Sequence, residues 1–133
     1  MNAIQISWVL AAEDSARLAT FYSELFQATL KPGLAEHHCI VQFSDGTRLE
    51  VYRPSSKRPF PKRGRALAPC LRFSPSLDPL PELQQLVTTA LQQGGSLLED
   101  ARIEPFGAEA WINDPEGNPL LLLVPLISAA AMS

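Results

Sequence analysis

Long apolar runs are missing from this 133-residue chain. The longest, Leu120 to Ile127, contains Pro125 and falls far short of the roughly 20 residues that cross a bilayer, so no membrane span is expected. No opening segment joins positive charge to a long apolar stretch; without a secretory or transit signature the expected location is the cytoplasm. Cysteine is scarce. Cys39 and Cys70 lack the spacing of a zinc knuckle and read as reduced, buried thiols. The chain also has no glycine-rich phosphate cradle, no nucleophile elbow and no recognisable Ser/His/Asp or Cys/His arrangement, so nothing positive points to catalysis.

With 46% apolar and 19% charged residues the chain can build a core, which excludes a wholly disordered or collagen-like protein, and its length suits one ordinary domain. The net charge of −3 conceals an uneven distribution. Arg53, Lys57, Arg58, Lys62, Arg63 and Arg65 fall within one stretch that has no acidic residue, leaving five basic against 14 acidic residues elsewhere. The same stretch, RPSSKRPFPKRGR, is stiffened by Pro54, Pro59 and Pro61 and reads as a solvated surface linker.

On either side of it the chain repeats one pattern. Ile4 to Leu10 reads as a strand, Glu13, Asp14 and Ser15 supply helix-start chemistry, and Leu18, Phe21, Tyr22, Leu25 and Phe26 form one helical face. A short strand is expected over Ala28 to Lys31. His37 to Phe43 and Thr47 to Arg53 then flank Ser44-Asp45-Gly46 as a hairpin. In the second half, Leu67 to Phe73 reads as a strand and Pro79 and Pro81 mark a helix start. Leu83, Leu86, Val87, Ala90 and Leu91 repeat the apolar face, and Gly94-Gly95 stops it. Leu97-Leu98, Ala110 to Asn113 and Leu120 to Val124 supply the remaining strands, the last two joined by an Asp114-Pro115-Glu116-Gly117-Asn118 turn. The helical faces superpose at an offset of 65 residues and the final strands at 71, with Gly46 on Gly117 and Val51 on Leu122. The expectation is an α+β fold of two βαβββ modules, about 1–54 and 67–126, with a linker at 55–66 and a tail at 127–133. Each module is too small to bury much surface alone.

The duplicated βαβββ order, Asp14 followed by Phe21-Tyr22, and the terminal Asp114-Pro115-Glu116-Gly117-Asn118 turn together resemble the vicinal oxygen chelate superfamily. That superfamily includes glyoxalases, extradiol dioxygenases and bleomycin-resistance proteins. The resemblance covers nearly the whole chain and implies a curved half-barrel sheet, frequent dimers, and a divalent metal held by His or Glu at four positions. Carried over to this sequence, those positions are Ser7, Glu50, Pro69 or Cys70, and Leu121. Only Glu50 has the expected chemistry, since serine is a poor ligand and proline and leucine are none, so no metal or other cofactor is expected. His37 and His38, adjacent on a strand, point to opposite faces, so at most one joins the cavity; His38 with Glu50 and Cys70 would be an irregular substitute set.

The resemblance to the metal-free, ligand-sequestering branch suggests a small-molecule site, with Ser7, His38, Glu50, Tyr52, Arg72, Trp111 and Leu121 as the expected ligand-binding residues. By strand alternation Arg48, Glu50 and Tyr52 share one face and Leu49 and Val51 the other. Glu50 reads as an anchor for a cationic ligand or a general base, or as a solvated residue paired with Arg48 or a linker arginine. Two alternatives stand beside ligand binding. One is a lyase, isomerase or dioxygenase using Glu50, with or without metal. The other is an interaction module in which Lys57, Arg58, Lys62, Arg63 and Arg65 meet an acidic partner. Few aromatics in that stretch and an acidic remainder weigh against nucleic acid.

Overall fold

A computed structural model describes residues 6–57, 59–64 and 67–127. The chain forms two compact units that divide between Lys62 and Arg63, inside the stretch expected as linker. Arg58 and Arg65 of the basic stretch, Ile4 and Gln5 of the first expected strand, and 128–133 of the expected tail lie outside the described residues. Among the described residues no helix is long and apolar enough to cross a membrane.

The first unit runs β1 (Ser7–Ala11), α1 (Ser15–Phe26), β2 (Thr29–Pro32), β3 (His38–Gln42) and β4 (Arg48–Tyr52). Its sheet has the order β1-β4-β3-β2, with β1 parallel to β4 and the other pairs antiparallel. The second unit runs β5 (Cys70–Arg72), α2 (Pro79–Gln92), β6 (Ser96–Glu104), β7 (Gly107–Asn113) and β8 (Pro119–Pro125), and repeats that order as β5-β8-β7-β6. The duplication visible in the sequence is therefore also a duplication of mixed-sheet topology. Neither four-stranded sheet closes into a barrel.

α1 starts where Asp14 accepts a hydrogen bond from the Arg17 backbone N–H at 3.1 Å, satisfying one of the donors a helix start leaves free. Leu18, Phe21, Tyr22 and Leu25 are buried and pack toward the side of the sheet that carries Val41 and Val51. Phe26, expected on the same face, is half-buried, its ring 6.1 Å from that of Phe43. α2 begins at Pro79, where the missing proline N–H costs nothing. Leu83, Val87 and Ala90 face Ala108, Ala110, Ile112, Leu120, Leu122 and Val124, all but Val87 fully buried. Three alanines at this contact let helix and sheet approach closely. Leu91, expected on the buried face, is 46% exposed.

Some boundaries differ from the sequence reading. β1 ends at Ala11 and β5 covers three residues of the expected seven. The stretch read only as Leu97-Leu98 and Ala110 to Asn113 is a long hairpin of β6 and β7. Register shifts between Leu97 and Glu99 and between Glu99 and Arg102 break the alternation that identifies a strand in sequence. The thiols also differ: Cys39 is half-buried and Cys70 is exposed.

The two hairpin turns before the last strand of each unit are fastened by aspartates. In the first, Asp45 accepts from the Thr47 N–H at 2.8 Å and Gly46 takes φ 90°, a left-handed conformation that glycine adopts without strain. In the second, buried Asp114 accepts from the Glu116 and Asn118 N–H groups at 2.9 and 3.0 Å and from the Asn118 side-chain amide. Replacing Asp114 by Ala leaves those donors without their acceptor. The expected cost is about 1–3 kcal/mol of unfolding free energy by urea titration, with Asp114→Asn intermediate.

Candidate functional site

Ladder register decides which side chains share the face of the first sheet turned away from α1. Ser7 pairs with Arg48, Val9 with Glu50, Ile40 with Glu50, and His38 with Tyr52. Paired residues point to the same side, so Ser7, Val9, His38, Ile40, Arg48, Glu50 and Tyr52 all lie on this face. The expected sharing of a face by Arg48, Glu50 and Tyr52 is what the register gives.

At its centre Glu50 takes hydrogen bonds from two neighbouring strands. The Ser7 hydroxyl donates to Oε2 at 2.5 Å, and His38 Nε2 lies 3.2 Å from Oε1. The orientation of His38 is itself fixed. Its Nδ1 accepts the Leu34 backbone N–H at 3.0 Å, and its carbonyl accepts the Gly33 N–H at 2.8 Å. A ring nitrogen that accepts a backbone N–H carries no hydrogen, so the imidazole presents Nε2–H to Glu50. Gly33 is a steric requirement here, because a Cβ at that position would sit 2.3 Å from His38 Cγ. His37 points elsewhere, its Nε2 3.7 Å from Glu36.

The Ser7 hydrogen bond, more than any other influence, holds the Glu50 carboxyl below the usual glutamate range. Burial opposes it, and the neighbouring His38 imidazole and the field of Arg48 add to the lowering. Glu50 is therefore a fixed anion and a weak base. Of its three expected alternatives, direct pairing with a linker arginine or with Arg48 is not what occupies it. Arg48 has no hydrogen-bond or ion-pair partner among the described residues and acts on Glu50 only through its field.

Beside this cluster is an open concavity of about 340 Å³ lined by Ile6, Ser7, Leu34, Ile40, Arg48 and Glu50. Ile6 and Leu34 are strongly exposed, Leu34 at 93%, and supply an apolar rim to a polar floor. Arg48, Ile6, Leu34 and Ile40 were not among the expected ligand residues. Alternation along β3 and β4 was signal enough for Ile40 and Arg48. Leu34 reaches the site through a loop conformation that leaves no periodic trace.

The other expected residues belong to the second unit. Leu121 pairs with Cys70 and with Trp111, and Arg72 pairs with Leu123, which puts Arg72, Trp111 and Leu121 on the sheet face opposite α2. On that face Arg102 is bound to Glu104 at 2.9 Å and to Glu109. Partial burial of its sulfur pushes the Cys70 thiol up, Arg72 opposing and Glu109 adding, which makes it a poor thiolate ligand.

The donors do not fit the metal that the resemblance implies. Cys70 pairs with Leu121 as Val9 pairs with Glu50, so the counterpart of Ser7 in the second unit is Ala68 rather than Pro69 or Cys70. Alanine and leucine therefore stand where serine and glutamate stand in the first unit. Both Glu50 oxygens already hold protein donors, and among the described residues no three His, Cys, Asp or Glu side chains gather.

Two outcomes test this geometry. Glu50 is more acidic folded than unfolded, so its contribution to stability is complete above the ordinary glutamate range and is lost as pH falls through the lower folded value. Urea titrations between pH 7 and pH 3 are expected to lose that acid-dependent component in Glu50→Gln. Gly33→Ala must displace the His38 ring. It is expected to cost about 1–3 kcal/mol of unfolding free energy and to shift the His38 imidazole resonances.

The scan against protein families matches residues 7–123 to a glyoxalase-like domain. No curated protein matches the chain. Among solved structures, a hypothetical protein from S. aureus superposes with a TM-score of 0.75 at 16% identity, over 93% of this chain and 95% of that one. A glyoxalase/bleomycin resistance protein/dioxygenase family enzyme from Burkholderia phytofirmans PsJN gives 0.65 at 15% identity, over 89% and 95%. TnmS3, an antibiotic binding protein from Streptomyces sp. CB03234, gives 0.61 at 21% identity, over 94% and 99%. With the βαβββ duplication and the strand order already described, these matches show that the chain belongs to the glyoxalase-like family of the vicinal oxygen chelate superfamily.

Proposed function

We propose that the protein binds a small molecule without a metal, holding it against the Ser7–His38–Glu50 face of its first unit. The observation that carries this reading is the state of Glu50. Its charge is fixed by a hydroxyl and an imidazole N–H, and the lone pairs those donors leave open are available to a donor group of a ligand. The apolar rim of Ile6, Leu34 and Ile40 supports the same role, since small-molecule sites combine apolar walls with a few oriented polar groups. The antibiotic binding protein from Streptomyces that shares this fold also supports a binding role. Tyr52, on the Glu50 face, is a further contact candidate; Arg72, Trp111 and Leu121, on the face of the second sheet opposite α2, are ligand-contact candidates of the second unit taken by itself. A homodimer in the cytoplasm completes the proposal.

The lowered Glu50 pKa favours an anchor over a general base, because an effective base must be able to take up a proton near neutral pH. The reading in which the basic stretch recruits an acidic partner is less well supported. Arg63, one of its cations, is already engaged by Glu116 at 3.5 Å.

Native mass spectrometry of protein purified without chelator tests the proposal in one measurement. The expected spectrum contains a dimer, an organic adduct lost in Glu50→Gln, and no stoichiometric metal. A stoichiometric Mn, Fe, Ni or Zn adduct in the wild type would overturn it.

A further inference from the structure

We infer that the ligand is an amphiphilic organic acid: an anionic group for Arg48, a neutral hydroxyl or N–H donor for Glu50, and an apolar body for Ile6, Leu34 and Ile40. The inference rests on the binding site proposed above and names the chemistry of its occupant.

Arg48 and Glu50 are two residues apart on one strand and face the same concavity, their Cα atoms roughly 6–7 Å apart. They are in opposite conditions. Glu50 already has two protein donors, and its side chain is 23% exposed. Arg48 is exposed and has no hydrogen-bond or ion-pair partner among the described residues, so its planar fork of donors is open to a carboxylate or a phosphate. A cationic ligand at Glu50 would meet that unpaired guanidinium as a like charge, and it would gain less from a carboxylate whose lone pairs are partly taken. A neutral donor meets neither obstacle. Half-buried Glu50 and exposed Arg48 thus divide the polar end of the ligand between them. The exposed Ile6 and Leu34, with buried Ile40 behind them, offer apolar surface for the rest.

The test uses the full chain and four probes of equal chain length: octanoate, α-hydroxyoctanoate, octylammonium and octanol. Each is titrated while backbone amide signals are followed by NMR, at one fixed ionic strength. The expected result is that octanoate and α-hydroxyoctanoate move the Leu34, Ile40 and Glu50 amides, with the hydroxy acid the tighter. Octanol and octylammonium bind at least about tenfold more weakly. Arg48→Gln, which breaks no hydrogen bond or ion pair among the described residues, is expected to weaken both acids about tenfold or more. Glu50→Gln should erase the advantage of the hydroxy acid over octanoate. Preferential binding of octylammonium, weakened by Glu50→Gln, would overturn the acid assignment and leave the site itself standing. Binding of octanoate that is indifferent to Arg48→Gln would also overturn it. If none of the four probes moves these amides, both the assignment and the binding site fall.

Discussion

The carboxylate of Glu50 is divided between a hydroxyl from β1 and an imidazole from β3, and the polar end of the first unit depends on that division. A carboxylate on a partly screened sheet face needs donors, and the sequence supplies them from the two strands that flank β4. Dependence then passes outward. His38 can serve Glu50 only while Leu34 holds its other nitrogen, and Leu34 can do so only because residue 33 lacks a side chain. Ser7, Gly33, Leu34 and His38, spread over more than thirty positions of sequence, are thereby fixed in relation to one anion. A cation approaching this carboxylate would have to compete with the contacts it already makes.

The two units show what duplication preserved and what it released. Toward the helices both sheets keep an apolar surface, Val41 and Val51 in one, Ile112, Leu120, Leu122 and Val124 in the other. That surface carries the folding energy of each unit, so its pattern is constrained. On the opposite faces the chemistry has parted. The first has serine, histidine, glutamate and an arginine with no ion-pair partner among the described residues, while the second has cysteine, leucine, tryptophan and an arginine neutralised by two glutamates. The fold can remain the same while these faces differ, because the apolar packing beneath each helix is kept.

How much of this was legible in the sequence varied with the kind of signal. Leu18, Phe21, Tyr22 and Leu25 identified α1 because a helix facing a sheet must place apolar groups at its own period. The place of Glu50 on the face away from α1 was legible through alternation along β4, and the family pattern marked it as a candidate site residue. The β6–β7 hairpin was not, since Glu99, Asp100, Arg102 and Glu104 alternate with no clean apolar partner and the register shifts twice. The contacts that orient His38 were hidden for another reason. They depend on the conformation of the loop between β2 and β3, where His37 takes φ 62°, and no periodicity encodes that. Arg48 was assigned to the face it occupies, and pairing with Glu50 was one of the readings left open, because sequence spacing gives a shared face and not a bond.

The parallel pairing of β1 with β4 has a consequence for the order of events during synthesis. β1 is made first, yet its neighbour in the sheet begins at Arg48, after α1, β2 and β3 have all emerged. Until then the nascent strand exposes Trp8 and Leu10 with no sheet to join, and the Ser7 hydroxyl has no carboxylate to meet. Glu50 thus completes the first sheet and supplies its polar centre together, and every residue of that cluster precedes the second unit in the chain.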